Sequence, residues 1–127
     1  VFLNLLFHSG PYGIFYGSIE ANSVTDTSDN NVPYYPGVKG SFAYGYNFTS
    51  NFNGEAVLNY TSKRFIDIEN EKHINPYFDL GIKLNYSFVK NFTLSFQINN
   101  LFSDDIYKWN GYKETPLDLI GSIKYSW

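Results

Sequence analysis

Cysteine is absent from the sequence, which excludes a disulfide scaffold and a thiolate metal site. Methionine is absent as well. With no initiator, and with Val1 opening directly into an apolar run, the chain is expected to be a processed or excised piece. No basic stretch precedes "VFLNLLF", so that run does not read as a signal peptide. Charge is sparse: 17% of residues are charged, below the roughly 25% of soluble domains. The net charge of −3 lacks the basic excess that nucleic acid requires, so no nucleic-acid partner is expected. No run approaches the ~20 apolar residues of a membrane helix, and mean hydropathy is −0.28.

Aromatic residues, by contrast, make up 20% of the 127 positions. Many aromatics, few charges and no long apolar run would be unusual in a soluble protein. The combination is ordinary in a membrane β-barrel, whose polar lumen residues dilute the apolar ones. The length suits a single domain, residues 1–127.

The dominant period is two. In "YFDLGIKLNYSF", Phe78, Leu80, Ile82, Leu84, Tyr86 and Phe88 alternate with Tyr77, Asp79, Gly81, Lys83, Asn85 and Ser87. "NFTLSFQINNLF" sets Phe92, Leu94, Phe96 and Ile98 against Thr93, Ser95, Gln97 and Asn99. "VKGSFAYGYNF" and "FNGEAVLNYTSKRF" follow the same pattern, with Val57 the exception, and "LDLIGSIKYSW" does so with Ile120 the exception. Period two means strands with one apolar and one polar face; a helix would space its apolar residues three and four apart. "VFLNLLF" and "YGIFYGSIE" read as a hairpin whose apolar face is ambiguous. The count is roughly seven strands, an all-β antiparallel up-and-down meander.

Connections alternate in length. Short turns fall at His8–Gly13, Thr49–Asn51 and Val89–Asn91; long polar loops fall at Ala21–Pro36, Asp67–Pro76 and Ser103–Pro116. Outer-membrane barrels pair short periplasmic turns with long extracellular loops. Aromatics sort by height in the same frame. Tyr46, Phe48, Phe52, Tyr86, Phe88, Phe92, Tyr125 and Trp127 lie at the short-turn end. Tyr60, Phe65, Tyr77, Phe78, Phe102, Tyr107 and Trp109 lie at the long-loop end. Aliphatic or small residues fill the band between, so two aromatic belts at two bilayer interfaces are expected. The fold expected is therefore part of a transmembrane outer-membrane β-barrel, with the lipid bilayer as its surroundings.

The ending "SIKYSW" places Ile123, Tyr125 and Trp127 at every second position. This resembles the assembly signal of bacterial outer-membrane barrels, which implies the barrel-assembly machinery as a partner. Such an edge strand can add to another sheet edge through its backbone. The resemblance extends upstream. "INPYFDLGIKLNYSFVKNFTLSFQINNLFSDDIYKW" is similar to the penultimate hairpin of TonB-dependent receptors. The matching features are Tyr77 to Tyr86, the Lys90-Asn91 turn, Ile98 to Phe102 with Asn99 and Asn100, and Tyr107. "VPYYPGVKGSFAYGYNFTSNFNGEAVLNYTSKRF" resembles the preceding hairpin of that family, so the likeness covers about residues 32 to 127. Ser103 departs from the family's usual Asp after Phe102, although Asp104 follows. The resemblance implies a roughly 22-stranded barrel around an N-terminal plug, with this chain the C-terminal part. It also implies energised import of a siderophore, cobalamin or glycan through contact with TonB. An odd strand count agrees with a partial barrel, since bacterial single-chain barrels have even numbers.

Glu55, Lys63, Asp79, Lys83, Asp118 and Lys124 project to the polar face, where a barrel would turn them to its lumen. In the last long loop, Tyr107, Lys108, Trp109 and Tyr112 suit small-solute contact by stacking and cation–π attraction. The alternative for Tyr107 and Trp109 is membership of the outer belt. His8 and His73 fall in different connections, so no shared metal site is expected, and no cofactor is implied. The sequence lacks G-x-S-x-G, and neither histidine accompanies a candidate serine on a strand, so no catalytic role is expected. Four N-x-(S/T) triplets, at Asn47, Asn59, Asn85 and Asn91, follow from polar-face alternation. Two rival readings stand beside outer-membrane transport. One is a small outer-membrane barrel without a plug (structural, adhesin or porin-like); the other is a soluble lipocalin-like binder.

Overall fold

A computed structural model describes residues 1–8, 10–102 and 105–127. Seven long antiparallel strands form one sheet: β1 (Phe2–His8), β2 (Ile14–Ala21), β3 (Val38–Thr49), β4 (Phe52–Thr61), β7 (Tyr77–Val89), β8 (Phe92–Asn99) and β11 (Asp118–Tyr125). Their spatial order is their chain order, an up-and-down meander. Two small hairpins stand apart in the long connections: β5 (Arg64–Phe65) with β6 (His73–Ile74), and β9 (Tyr107–Trp109) with β10 (Tyr112–Lys113). Among the described residues β1 and β11 each pair on one side only, so the sheet is open.

The turns follow from their residues. Val89 pairs with Phe92 across Lys90-Asn91, with Asn91 at φ 74°, a left-handed position that asparagine tolerates. Gly13 ends the first turn at φ 103°, and a Cβ there would fall on the Gly45 carbonyl and the Tyr44 ring. Only glycine fits both demands.

The register carries the two-faced pattern across the whole sheet. One row runs Leu5, Gly17, Phe42, Leu58, Leu80, and the adjacent one Asn4, Ser18, Ser41, Asn59, Asp79. This resolves the first hairpin: Leu3, Leu5 and Phe7 share the apolar face with Phe15, Gly17 and Ile19, while Leu6 and Ile14 fall on the polar side. Val57 sits on the polar side between Ala43 and Gly81, and Ile120 opposite Gln97.

The sheet is a single layer with no core of its own. Among the described residues the buried hydrophobics are Ile74 and Ile106, and both lie in the long connections. Layered soluble domains bury one sheet face against another element. Here Phe42, Phe96, Leu94 and Ile123 are 43 to 70% exposed.

Candidate functional site: a two-faced wall and its loop cap

The apolar face carries an aromatic girdle at its short-turn end. Ring follows ring from Phe15 through Tyr44, Tyr46, Phe48, Phe52, Tyr86, Phe88, Phe92 and Tyr125 to Trp127, with centroids 4.5 to 6.5 Å apart. Tyr44 also donates its hydroxyl proton to the Tyr12 carbonyl at 2.7 Å, fixing the girdle to the first turn. Rings of this kind combine an apolar body with a polar tip, which suits a bilayer interface. At the long-loop end, among the described residues, Tyr60 and Phe78 alone make such a contact on the sheet, at 4.8 Å. Tyr107 and Trp109 lie in the separate β9–β10 hairpin. Tyr77 stands on the polar side opposite Thr61. Of the rings expected at that end, the apolar face of the sheet therefore keeps a short patch, because Phe65, Tyr107 and Trp109 fall in the small hairpins and Tyr77 on the polar side.

β11 ends at Tyr125, and Trp127 follows it fully exposed. Ser126 still donates its N–H to the Asn91 carbonyl at 2.9 Å, extending the pairing past the strand. Ile123 faces Leu94, and Tyr125 faces Phe92.

The polar face is stitched by short side chains. Asn85 donates to Asn53 at 2.9 Å and accepts from the Ser95 hydroxyl at 2.7 Å. Gln97 donates to Asn99 at 2.8 Å, and Asn99 donates to Asp118 at 3.1 Å. Asp79 accepts the Asn100 N–H at 3.2 Å. Glu55 and Lys83 are opposed in register but make no ion pair among the described residues. With Asn59, Asp79, Gln97 and Asn99 they line a depression of about 290 Å³. Lys124 lies opposite Thr93 near the short-turn end. Lys63 lies past the end of β4, with its ammonium 4.9 Å from the Phe65 ring centroid, so the register gives it no place on the polar face.

At the long-loop end the polar face meets the connections. Asp79, Asn99, Asn100 and Asp118 from the sheet side, with Lys108 and Glu114 from around the β9–β10 hairpin, line a second depression of about 260 Å³. Lys108 and Glu114 form an ion pair at 3.2 Å, and Lys113 pairs with Asp105 at 2.5 Å. The hydrogen bond to Asp105 raises the Lys113 ammonium above its ordinary value, with desolvation working against it and the charges of Asp105 and Tyr107 adding to it. Among the expected solute-contact residues, Tyr112 (75% exposed) and Trp109 (58%) present their rings to solvent. Tyr107 and Lys108 offer their carbonyls inward to Arg64.

Arg64, Tyr34, Asn31 and Asn70 hold the connections together and were not singled out in the sequence. The clearest missed signal is Asn110-Gly111, an Asn-Gly pair between short apolar stretches, which marks the β9–β10 hairpin turn. Ser103 and Asp104, where the sequence departs from the receptor pattern, lie outside the described residues.

No protein-family model matches the sequence, and no curated protein is significantly similar to it. Solved structures do resemble it in fold. The ferric enterobactin receptor PfeA of Pseudomonas aeruginosa superposes with a TM-score of 0.80 at 13% identity, over 98% of this chain and 21% of the receptor. The siderophore receptor PirA of Acinetobacter baumannii gives 0.80 at 16% identity over the same shares. A second PfeA structure gives 0.78 at 12% identity, over 96% of this chain and 21% of the receptor. The chain thus spans about a fifth of the length of the receptors it matches. Its all-β meander has the fold of a stretch of outer-membrane receptor barrel, as the resemblance to TonB-dependent receptors implied.

Proposed function

We propose that this chain forms the C-terminal part of the wall of an outer-membrane barrel that imports a small solute in a TonB-dependent manner. The observation that carries the proposal is the single-layer sheet. Among the described residues its girdled apolar face has no protein partner, and its opposite face is polar and hydrogen-bonded. A bilayer outside and an aqueous lumen inside satisfy both faces at once. The fold likeness to siderophore receptors supports transport over catalysis. Siderophore, cobalamin and glycan are the solute classes that the family resemblance suggests. Tyr107, Lys108, Trp109 and Tyr112 are the residues proposed to meet the solute. Glu55, Asp79, Lys83 and Asp118 line the route or face a plug, and Ile123, Tyr125 and Trp127 serve recognition by the barrel-assembly machinery.

The test is uptake in cells producing the full-length protein, compared with a strain lacking it, with and without functional TonB. A panel of ferric siderophores, cobalamin and oligosaccharides should include at least one whose energised uptake needs both proteins. A protein assembled in the outer membrane whose loss leaves uptake of the whole panel unchanged would contradict the transport reading.

A further inference from the structure

The three long connections are joined side to side, and among the described residues most of the joints pass through the β5–β6 hairpin and its flanks. Tyr34, in the first connection, donates its N–H to the Phe65 carbonyl at 2.7 Å. Asn31 and Asn70 exchange hydrogen bonds in both directions, with Asn31 N–H to Asn70 Oδ1 at 2.7 Å and Asn70 Nδ2 to Asn31 O at 2.9 Å. Arg64 reaches the third connection, its Nη2 donating to the carbonyls of Tyr107 and of Lys108, the latter at 3.1 Å. Another joint stacks Tyr34 on Trp109, centroids 4.9 Å apart.

Two of these residues bear a cost that loop packing alone does not explain. Arg64 is only 5% exposed, its guanidinium lies 5.5 Å from the Tyr77 ring centroid, and its Nη1 has no hydrogen-bond partner among the described residues. Burying a guanidinium without a carboxylate is unfavourable, and an apolar side chain of similar length would avoid the loss. Tyr34 sits at φ 62°, a left-handed conformation that a bulky residue holds only where its surroundings fix it.

We infer that Arg64 is a positioning residue: it clamps the β9–β10 hairpin to the β5–β6 hairpin, so that the three long connections move as one cap. Its Nη2 alone serves two successive backbone carbonyls while the planar guanidinium lies over the Tyr77 ring, a stacked contact that lysine does not reproduce. The significance for solute rests on the transport reading, since Tyr107 to Tyr112 is the segment proposed to meet it. Pre-setting that segment would reduce the ordering cost of binding.

Backbone hydrogen exchange on the full-length protein in detergent micelles, with no solute present, tests the clamp separately from transport. Arg64→Met should speed exchange across Tyr107–Lys113 by roughly tenfold, the scale of losing charge-assisted hydrogen bonds. The effect should spread to residues 31–35 while β7 and β8 keep their protection. Arg64→Lys should fall between wild type and Arg64→Met. If Arg64 were only a space-filling side chain, Arg64→Met would leave Tyr107–Lys113 unchanged or better protected, and the inference would be overturned. Should Arg64→Met fail to assemble, Asn70→Gly keeps the left-handed backbone and deletes the amide. It should speed exchange in residues 22–37, and unchanged exchange there would equally overturn the single-cap inference.

Discussion

Ile82 and Lys83 are adjacent in the chain and face opposite surroundings. Ile82 lies between Ala56 and Ile98 on the apolar face, Lys83 between Glu55 and Gln97 on the polar one. Arginine at a lipid-facing midplane position costs about 2–4 kcal/mol. Ile82→Arg and Leu94→Arg should therefore lower the assembled fraction in outer-membrane preparations, while Gln97→Arg, one step from Phe96 but on the polar face, should not. Equal tolerance of all three would remove the lipid assignment. Gly13→Ala should also impair the first hairpin, because it adds both a left-handed strain and an overlap with the Gly45 carbonyl; a thermal melt of the assembled protein would register the loss. For Lys113 the sign follows from its raised titration. The ion pair with Asp105 is fully formed at neutral pH and gives way only as the pH climbs past 10.5, the ordinary lysine value, toward the raised one. The carbon-13 shift of Lys113 Cε, followed by NMR, should stay constant through neutral pH and move only in that alkaline window; a titration at or below 10.5 would contradict it.

Seven strands were legible at the scale of elements, because one wet and one apolar face force a strict period of two. β7 and β8 could be read almost residue by residue. β1 and β2 could not be oriented, since Leu6, Ile14 and Tyr16 place apolar side chains on the polar side and only pairing with β3 decides. The small hairpins were illegible for a different reason. Strands of two or three residues carry no period, and their positions depend on partners far away in sequence, such as Arg64 with Tyr107. The same long-range contacts explain why fewer outer rings lie on the sheet than the sequence suggested: Trp109 reads alike whether it belongs to a belt or stacks, as it does, on Tyr34 of another connection. The assembly role proposed for the last strand rests on its resemblance to known barrels. Its physical content is an apolar row, Ile123, Tyr125 and Trp127, that ends the girdle. Removing Trp127 should slow insertion by the assembly machinery in a reconstituted assay, and unaltered insertion would leave that residue without the assembly role.

For the whole molecule, the decisive feature is that one layer of sheet has two exposed and opposite faces. Water suits the polar face but not the apolar one, and among the described residues no other element of the chain covers either. A barrel wall is the arrangement that gives each face its own solvent. Accessibility along β7 and β8 tests this most directly. Single spin labels would be placed at successive positions from Gly81 to Asn85 and from Thr93 to Gln97 of the full-length protein in lipid bilayers. The collision rates with dissolved oxygen and with a water-soluble nickel complex would then be measured at each. The account predicts strict alternation, with Ile82, Leu84, Leu94 and Phe96 favouring oxygen and Lys83, Asn85, Ser95 and Gln97 favouring nickel. Equal exposure of both faces to the nickel complex would contradict it.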